Sequence, residues 1–212
     1  MADDYRNSKY CPKLTELAKK KSDVKESVSA KHPKARDMHT YISNNDELFK
    51  QQFIEAYNGK CAYCGVSTEI IPWKMFEIDH FIPKASARFN GSKANAGYID
   101  NLILSCYDCN RAKKDLEFPD DELYKIHPDK NEIIEAFVRD DNYYIKISEK
   151  MNDDSTVKKF YEQVDLGNQL HRIDFLLMNM RGLCKKITDK HSAYGKLMEA
   201  VELLQHKRNI MR

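Results

Sequence analysis

Two cysteine pairs, Cys61-Ala-Tyr-Cys64 and Cys106-Tyr-Asp-Cys109, constrain this chain more than any other feature. Two thiolates with two residues between them turn a tight knuckle that offers half of the tetrahedral set zinc prefers. The knuckles stand 41 residues apart, from Gly65 to Ser105. That spacing predicts one closed structural Zn2+ site on Cys61, Cys64, Cys106 and Cys109, with no coordination position left for a reacting water. A dithiol redox couple would need only one of the pairs. Cys11 and Cys184 have no partner motif and read as ordinary thiols.

Composition narrows the setting. Apolar residues make up 42% of the 212, so a real core can be buried, and 32% are charged with a net charge of only +2. Affinity for nucleic acid must then come from local patches. No apolar run approaches the roughly 18–20 residues that span a bilayer, and the start lacks the hydrophobic stretch of a signal peptide. The expectation is a cytoplasmic chain with no membrane partner. In a reducing compartment clustered cysteines bind metal more often than they bridge.

Three regions follow from pattern. Residues 1–44 form a basic N-terminal segment, with ten Lys/Arg against five Asp/Glu up to Arg36. It reads either as a phosphate-contacting arm or as a solvated helix. In residues 45–118, Leu48, Phe49, Phe53, Ala56 and Tyr57 recur at helical spacing, with Asn45 able to cap the start and Asn58-Gly59 ending the run. The first knuckle follows, then a strand in "MFEIDHFIP", a loop, a strand in "IDNLILSC", the second knuckle, and a short helix after Cys109. Residues 119–212 read as a hairpin turning at Asp140-Asp141 and a helical region broken at Gly167-Asn168, with a last helix from about Ser192. The fold class is α+β: a zinc-stapled finger embedded in helices, with a helical C-terminal extension.

Between and beside the knuckles stand Asp79-His80, Pro83, Asn101-Leu102 and Asn110 with Lys113. In order, spacing and identity these residues resemble the HNH endonucleases of the ββα-metal (His-Me finger) superfamily, over residues 61–114. The resemblance implies hydrolysis of phosphodiester bonds. In it His80 is the general base, Asp79 and Asn110 bind Mg2+ (with Mn2+ an alternative), and Asn101 orients the loop that carries His80. The chemistry suits those residue types: imidazole takes a proton near neutral pH, and carboxylate and amide oxygens suit a hard ion. Many family members have histidine where Asn110 stands. Arg111, Lys113 and Lys114 open the helix of the finger and are placed to hold backbone phosphates, and Lys84 in the loop is a further candidate, with Arg88 and Lys93 beside it.

Residues from "IHPDKNEII" to "HRIDFLL" are similar to the tail of HNH proteins from Septu-type anti-phage operons, in which a nuclease subunit works with a separate ATPase. The chain carries no Gly-x-x-x-x-Gly-Lys-Ser/Thr loop, so nucleotide hydrolysis would belong to that other subunit. DNA is favoured over RNA as substrate through the family, with a structured RNA such as tRNA open. A zinc ribbon that binds nucleic acid or protein without cutting uses the same four cysteines, and it leaves Asp79, His80 and Asn110 without a purpose.

Overall fold

The computed structural model of the chain describes residues 3–45, 47–187, 189 and 191–211. Helix α1 (Leu17–Lys31) turns Lys21, Val24 and Val28 inward at helical spacing, and it packs against α2 (Glu47–Ala56). The side chain of Asn45, expected to cap α2, lies outside the described residues. Asn58 and Gly59 end the run as anticipated, both with positive φ, and Gly59 N–H returns to the Ile54 carbonyl at 2.9 Å. The first knuckle follows at once. Its turn needs Gly65: φ is +81°, and a Cβ there would lie 2.5 Å from the Arg6 carbonyl oxygen.

Strands β1 (Phe76–His80) and β2 (Leu102–Cys106) form an antiparallel pair, with Glu77 opposite Ser105, Asp79 opposite Ile103 and His80 opposite Leu102. β2 is buried on both faces, which fits its unbroken apolar run. Its far edge is taken by the first knuckle, where Ala62 N–H bonds the Leu104 carbonyl at 2.8 Å. Helix α3 (Tyr107–Lys113) begins three residues before the position expected, so Cys109 and Asn110 both lie inside it. Cys106 ends the strand and supplies the helix N-cap, because a knuckle whose second thiolate must turn back toward the first is itself the opening turn of the helix.

The hairpin of β3 (Phe137–Arg139) and β4 (Ile145–Ile147) turns at Asp140, whose Oδ1 accepts from the amides of Asn142 and Tyr144, both at 2.9 Å. Helix α4 (Ser155–Gln163) is capped by Asp154, which accepts from Thr156 N–H and Val157 N–H. Its Phe160 ring meets Tyr63, Phe118 and Phe137 and is fully buried, worth roughly 1.5–3 kcal/mol. After the break at Gly167-Asn168, α5 (Gln169–Cys184) starts on an Asn168 cap. Helix α6 (Tyr194–Ile210) lies against α5, joined by a buried ion pair of Arg208 and Asp174.

Two basic residues of the N-terminal segment fit neither of its sequence readings. Arg6 is buried, held by Asp4 and by the carbonyls of Ala62 and Pro128. Lys21 is buried against Asp129, which also accepts from Tyr57 Oη–H. Among the described residues no helix is long and apolar enough to cross a membrane.

Candidate active site

The four knuckle cysteines converge. Their sulfurs all lie within 4.8 Å of one another and all four residues are buried. Cys64 Sγ and Cys106 Sγ stand 3.8 Å apart. A tetrahedral site with Zn–S of about 2.3 Å sets its sulfurs about 3.8 Å apart, and a disulfide would need about 2 Å. The donor set therefore fits zinc, which would staple the end of α2 to the start of α3. Two groups from the C-terminal half pack on it. His171 of α5 brings Nε2 to 3.8 Å from Cys109 Sγ. Arg139 of β3 reaches the Cys64 carbonyl at 3.4 Å and stacks on Phe175.

On β1, alternation sends Glu77 and Asp79 to the face that α3 covers. Asp79 accepts from Tyr63 Oη–H at 2.7 Å, and Lys113 Nζ stands 3.3 Å from its other oxygen. Burial raises the Asp79 carboxyl to about 6, against the pull of Lys113. Glu77 accepts from Asn110 Nδ2 at 2.5 Å and from Arg111 at 2.9 Å through both carboxylate oxygens. Asp79 and Asn110 are thus on facing surfaces of one strand and one helix, with Asn110 bonded to Glu77 and Asp79 bonded to Lys113 of the same helix. The set is all oxygen donors on this face, two carboxylates and an amide, which suits a hard divalent ion.

His80 closes β1. Neither of its ring nitrogens has a hydrogen-bond partner among the described residues, while its backbone carbonyl accepts from Lys113 Nζ at 3.0 Å. Burial, then the neighbouring His39, lowers the imidazole to about 4, so it is unprotonated at neutral pH. Its side chain does not meet Asp79; its ring packs against His39 at 4.3 Å between centroids. Asn101 is buried just before β2. Its Nδ2 donates to the carbonyls of Ile82 and Ala96 at 3.0 and 2.8 Å, and its Oδ1 accepts from Ile82 N–H at 2.8 Å. The loop after His80 is thereby tied at both ends.

The basic candidates divide by burial. Lys113 sits inside, on Asp79 and the His80 carbonyl. Arg111 is exposed but paired with Glu77, and Arg88 is engaged by Asp120 and the Phe118 carbonyl. Lys84 and Lys114 are exposed. Sequence reasoning missed three residues of this neighbourhood: Glu77, His39 and His171. Only Glu77 carried a signal, being two positions before Asp79 on a predicted strand.

An antiparallel strand pair faced by a short helix, with four cysteines converging at its base, has the form of a ββα finger. Residues 61–116 match the family model of the HNH endonuclease. The chain is also similar to the Septu protein PtuB of Bacillus mycoides (34% identical, over 35% of this chain and 27% of the relative). It is similar to the CRISPR-associated endonuclease Cas9 of Corynebacterium diphtheriae (29% identical, over 34% of this chain and 6% of the relative). Each match spans well under half of those relatives. No solved structure matches the chain.

Proposed function

We propose that this chain is a metal-dependent endonuclease that hydrolyses internal phosphodiester bonds, with DNA favoured over RNA. The observation that supports the reading is that His80, whose ring nitrogens have no hydrogen-bond partner among the described residues, ends the strand whose other face turns Glu77 and Asp79 toward Asn110 and Lys113 of α3, within the segment that matches the HNH family model. His80 takes the proton from the attacking water, its ring nitrogens having no protein partner among the described residues and its neutral form favoured by burial. Asp79 and Asn110 would hold a divalent ion, Mg2+ or Mn2+, which supplies charge stabilisation at the phosphate and at the departing oxygen. Lys113 anchors the metal-facing carboxylate of Asp79 and the backbone of His80 at once. Asn101 holds the loop that leaves His80. Lys84 and Lys114 are the exposed cations for the substrate backbone, with Arg111 once it exchanges Glu77 for a phosphate.

The likeness to a Septu protein supports a role in anti-phage defence, and the resemblance of the C-terminal region to the tail of Septu-type HNH proteins makes a separate ATPase subunit the proposed partner. The regions 1–44, 45–118 and 119–212 serve as the working division of the chain. Plasmid DNA and total RNA incubated with Mg2+ test the reading. The native protein should cut, and His80→Ala should bind without cutting. Binding with no cleavage by the native protein, alone and with its operon partner, would instead make the chain a zinc-ribbon binding module.

A further inference from the structure

We propose that His39 is a positioning residue for His80, fixing the imidazole by ring packing from outside the finger. The inference rests on the reading of His80 as the base. The two rings lie 4.3 Å apart between centroids at 32°. They are chemically unequal. His39 is held: its Nε2 donates to the Ile78 carbonyl at 3.1 Å, and its Nδ1 lies 3.3 Å from Ser43 Oγ. His80 has neither ring nitrogen bonded among the described residues. One imidazole is held and the other is free to take a proton, so His39 is the support and His80 the reacting group.

The support is itself well anchored. Among the described residues β1 pairs only with β2, so its other edge offers carbonyls unpaired by any strand. His39 covers that edge at Ile78. It arrives there because Asp37 caps the turn Met38–Thr40, accepting from Thr40 Oγ1–H at 2.8 Å and Thr40 N–H at 3.4 Å. Met38 N–H bonds the Gly97 carbonyl at 2.9 Å, which ties the turn to the loop of the finger. Gly97 leaves room there for the Asp37 carboxylate, which a Cβ would overlap as the side chain is placed. A π turn, Tyr41–Asn45, follows, and its Ser43 Oγ lies 2.7 Å from the His39 carbonyl, so that its one hydroxyl hydrogen serves either that carbonyl or Nδ1. A segment outside the finger, 41 positions before the base, is thus built to place one ring against it.

A side chain held in a productive orientation matters because small misplacements of a reacting group cost up to about 100-fold in rate. The test uses the full chain and three variants. His39→Ala should lower kcat about 10- to 100-fold with KM unchanged. His39→Phe keeps a ring at the contact and should recover kcat to within about threefold, whereas His39→Gln keeps a donor for Ile78 but no ring and should not. A native kcat in His39→Ala, a loss confined to KM, or a His39→Phe as poor as His39→Ala overturns the proposal. A second readout does not need cleavage: the His80 Cε1–H NMR resonance, assigned with His80→Gln, should move in His39→Ala and stay close to native in His39→Phe. If the resonance responds in this way but no variant or native protein cuts nucleic acid, the ring packing stands and the nuclease reading falls. If it does not respond while the native protein cuts, the positioning proposal falls alone.

Discussion

Asn101 offers the sharpest test of how the finger is held, because its side chain makes three bonds and has almost no solvent access at 1% exposed. Replacing it with alanine removes all three, each worth about 1 kcal/mol net. It also leaves Ile82 N–H and the buried Ala96 carbonyl without these partners, adding roughly 1 kcal/mol or more. Asn101→Ala should therefore lose about 3–4 kcal/mol. With a urea slope of about 2–3 kcal/mol/M, the midpoint should fall by about 1–2 M. The backbone bond from Phe81 N–H to the Asn101 carbonyl survives the substitution, so the register of β1 and β2 should persist. Amide exchange should then accelerate from Ile82 to Ala96 and not in β2. Asn101→Asp separates bonding from shape. It keeps the acceptor for Ile82 N–H but turns a carboxylate oxygen toward the two carbonyls that Nδ2 had served. At pH 7 it should be at least as damaging as alanine, and it should regain stability at pH 5 as the buried carboxyl protonates and becomes a donor again. A midpoint shift under about 0.3 M for Asn101→Ala, or an Asn101→Asp indifferent to pH, would refute the reasoning.

Two other outcomes are expected. Elemental analysis should find one zinc per chain, and a strong chelator should unfold the finger cooperatively by circular dichroism, since structural zinc binding is itself folding free energy; a native fold after quantitative zinc loss would contradict this. Breaking the buried ion pair of α5 and α6 by Asp174→Ala should cost about 3–5 kcal/mol in urea titrations, whereas the double change Asp174→Leu with Arg208→Met should cost far less, because no unpaired charge stays buried.

Local chemistry made much of the fold legible. The knuckles, the Asn58-Gly59 stop, the break at Gly167-Asn168 and the hairpin at Asp140 each depend on residues adjacent in sequence, so their signals survive without tertiary context. What depended on distant partners was not legible. Arg6 and Lys21 look like surface charges until the Ala62 and Pro128 carbonyls are brought to the first and Asp129 to the second, across 108 positions. His39 carries no motif, and its meaning arises only when a turn outside the finger meets the open edge of β1. The early start of α3 is hidden in the sequence because Tyr107 and Asp108 belong at once to the knuckle and to the first helical turn.

The buried and paired charges also say how the finger can meet a phosphate backbone. Glu77 and Asp79 contribute two negative charges, and Arg111 and Lys113 contribute two positive ones in direct contact with them. The face is close to neutral by itself, so it has little net pull on a polyanion. A divalent ion bound to the same oxygens would make it positive by two, and Arg111, exposed and on the outer side of Glu77, would then be free to turn to substrate at small cost. Lys113 has no such freedom, since its ammonium is enclosed by Asp79 and the His80 carbonyl. Of the two cations in that neutral face, one is therefore exchangeable and one is fixed. The fixed one ties the carboxylate that would hold the metal to the backbone of the histidine that would activate water.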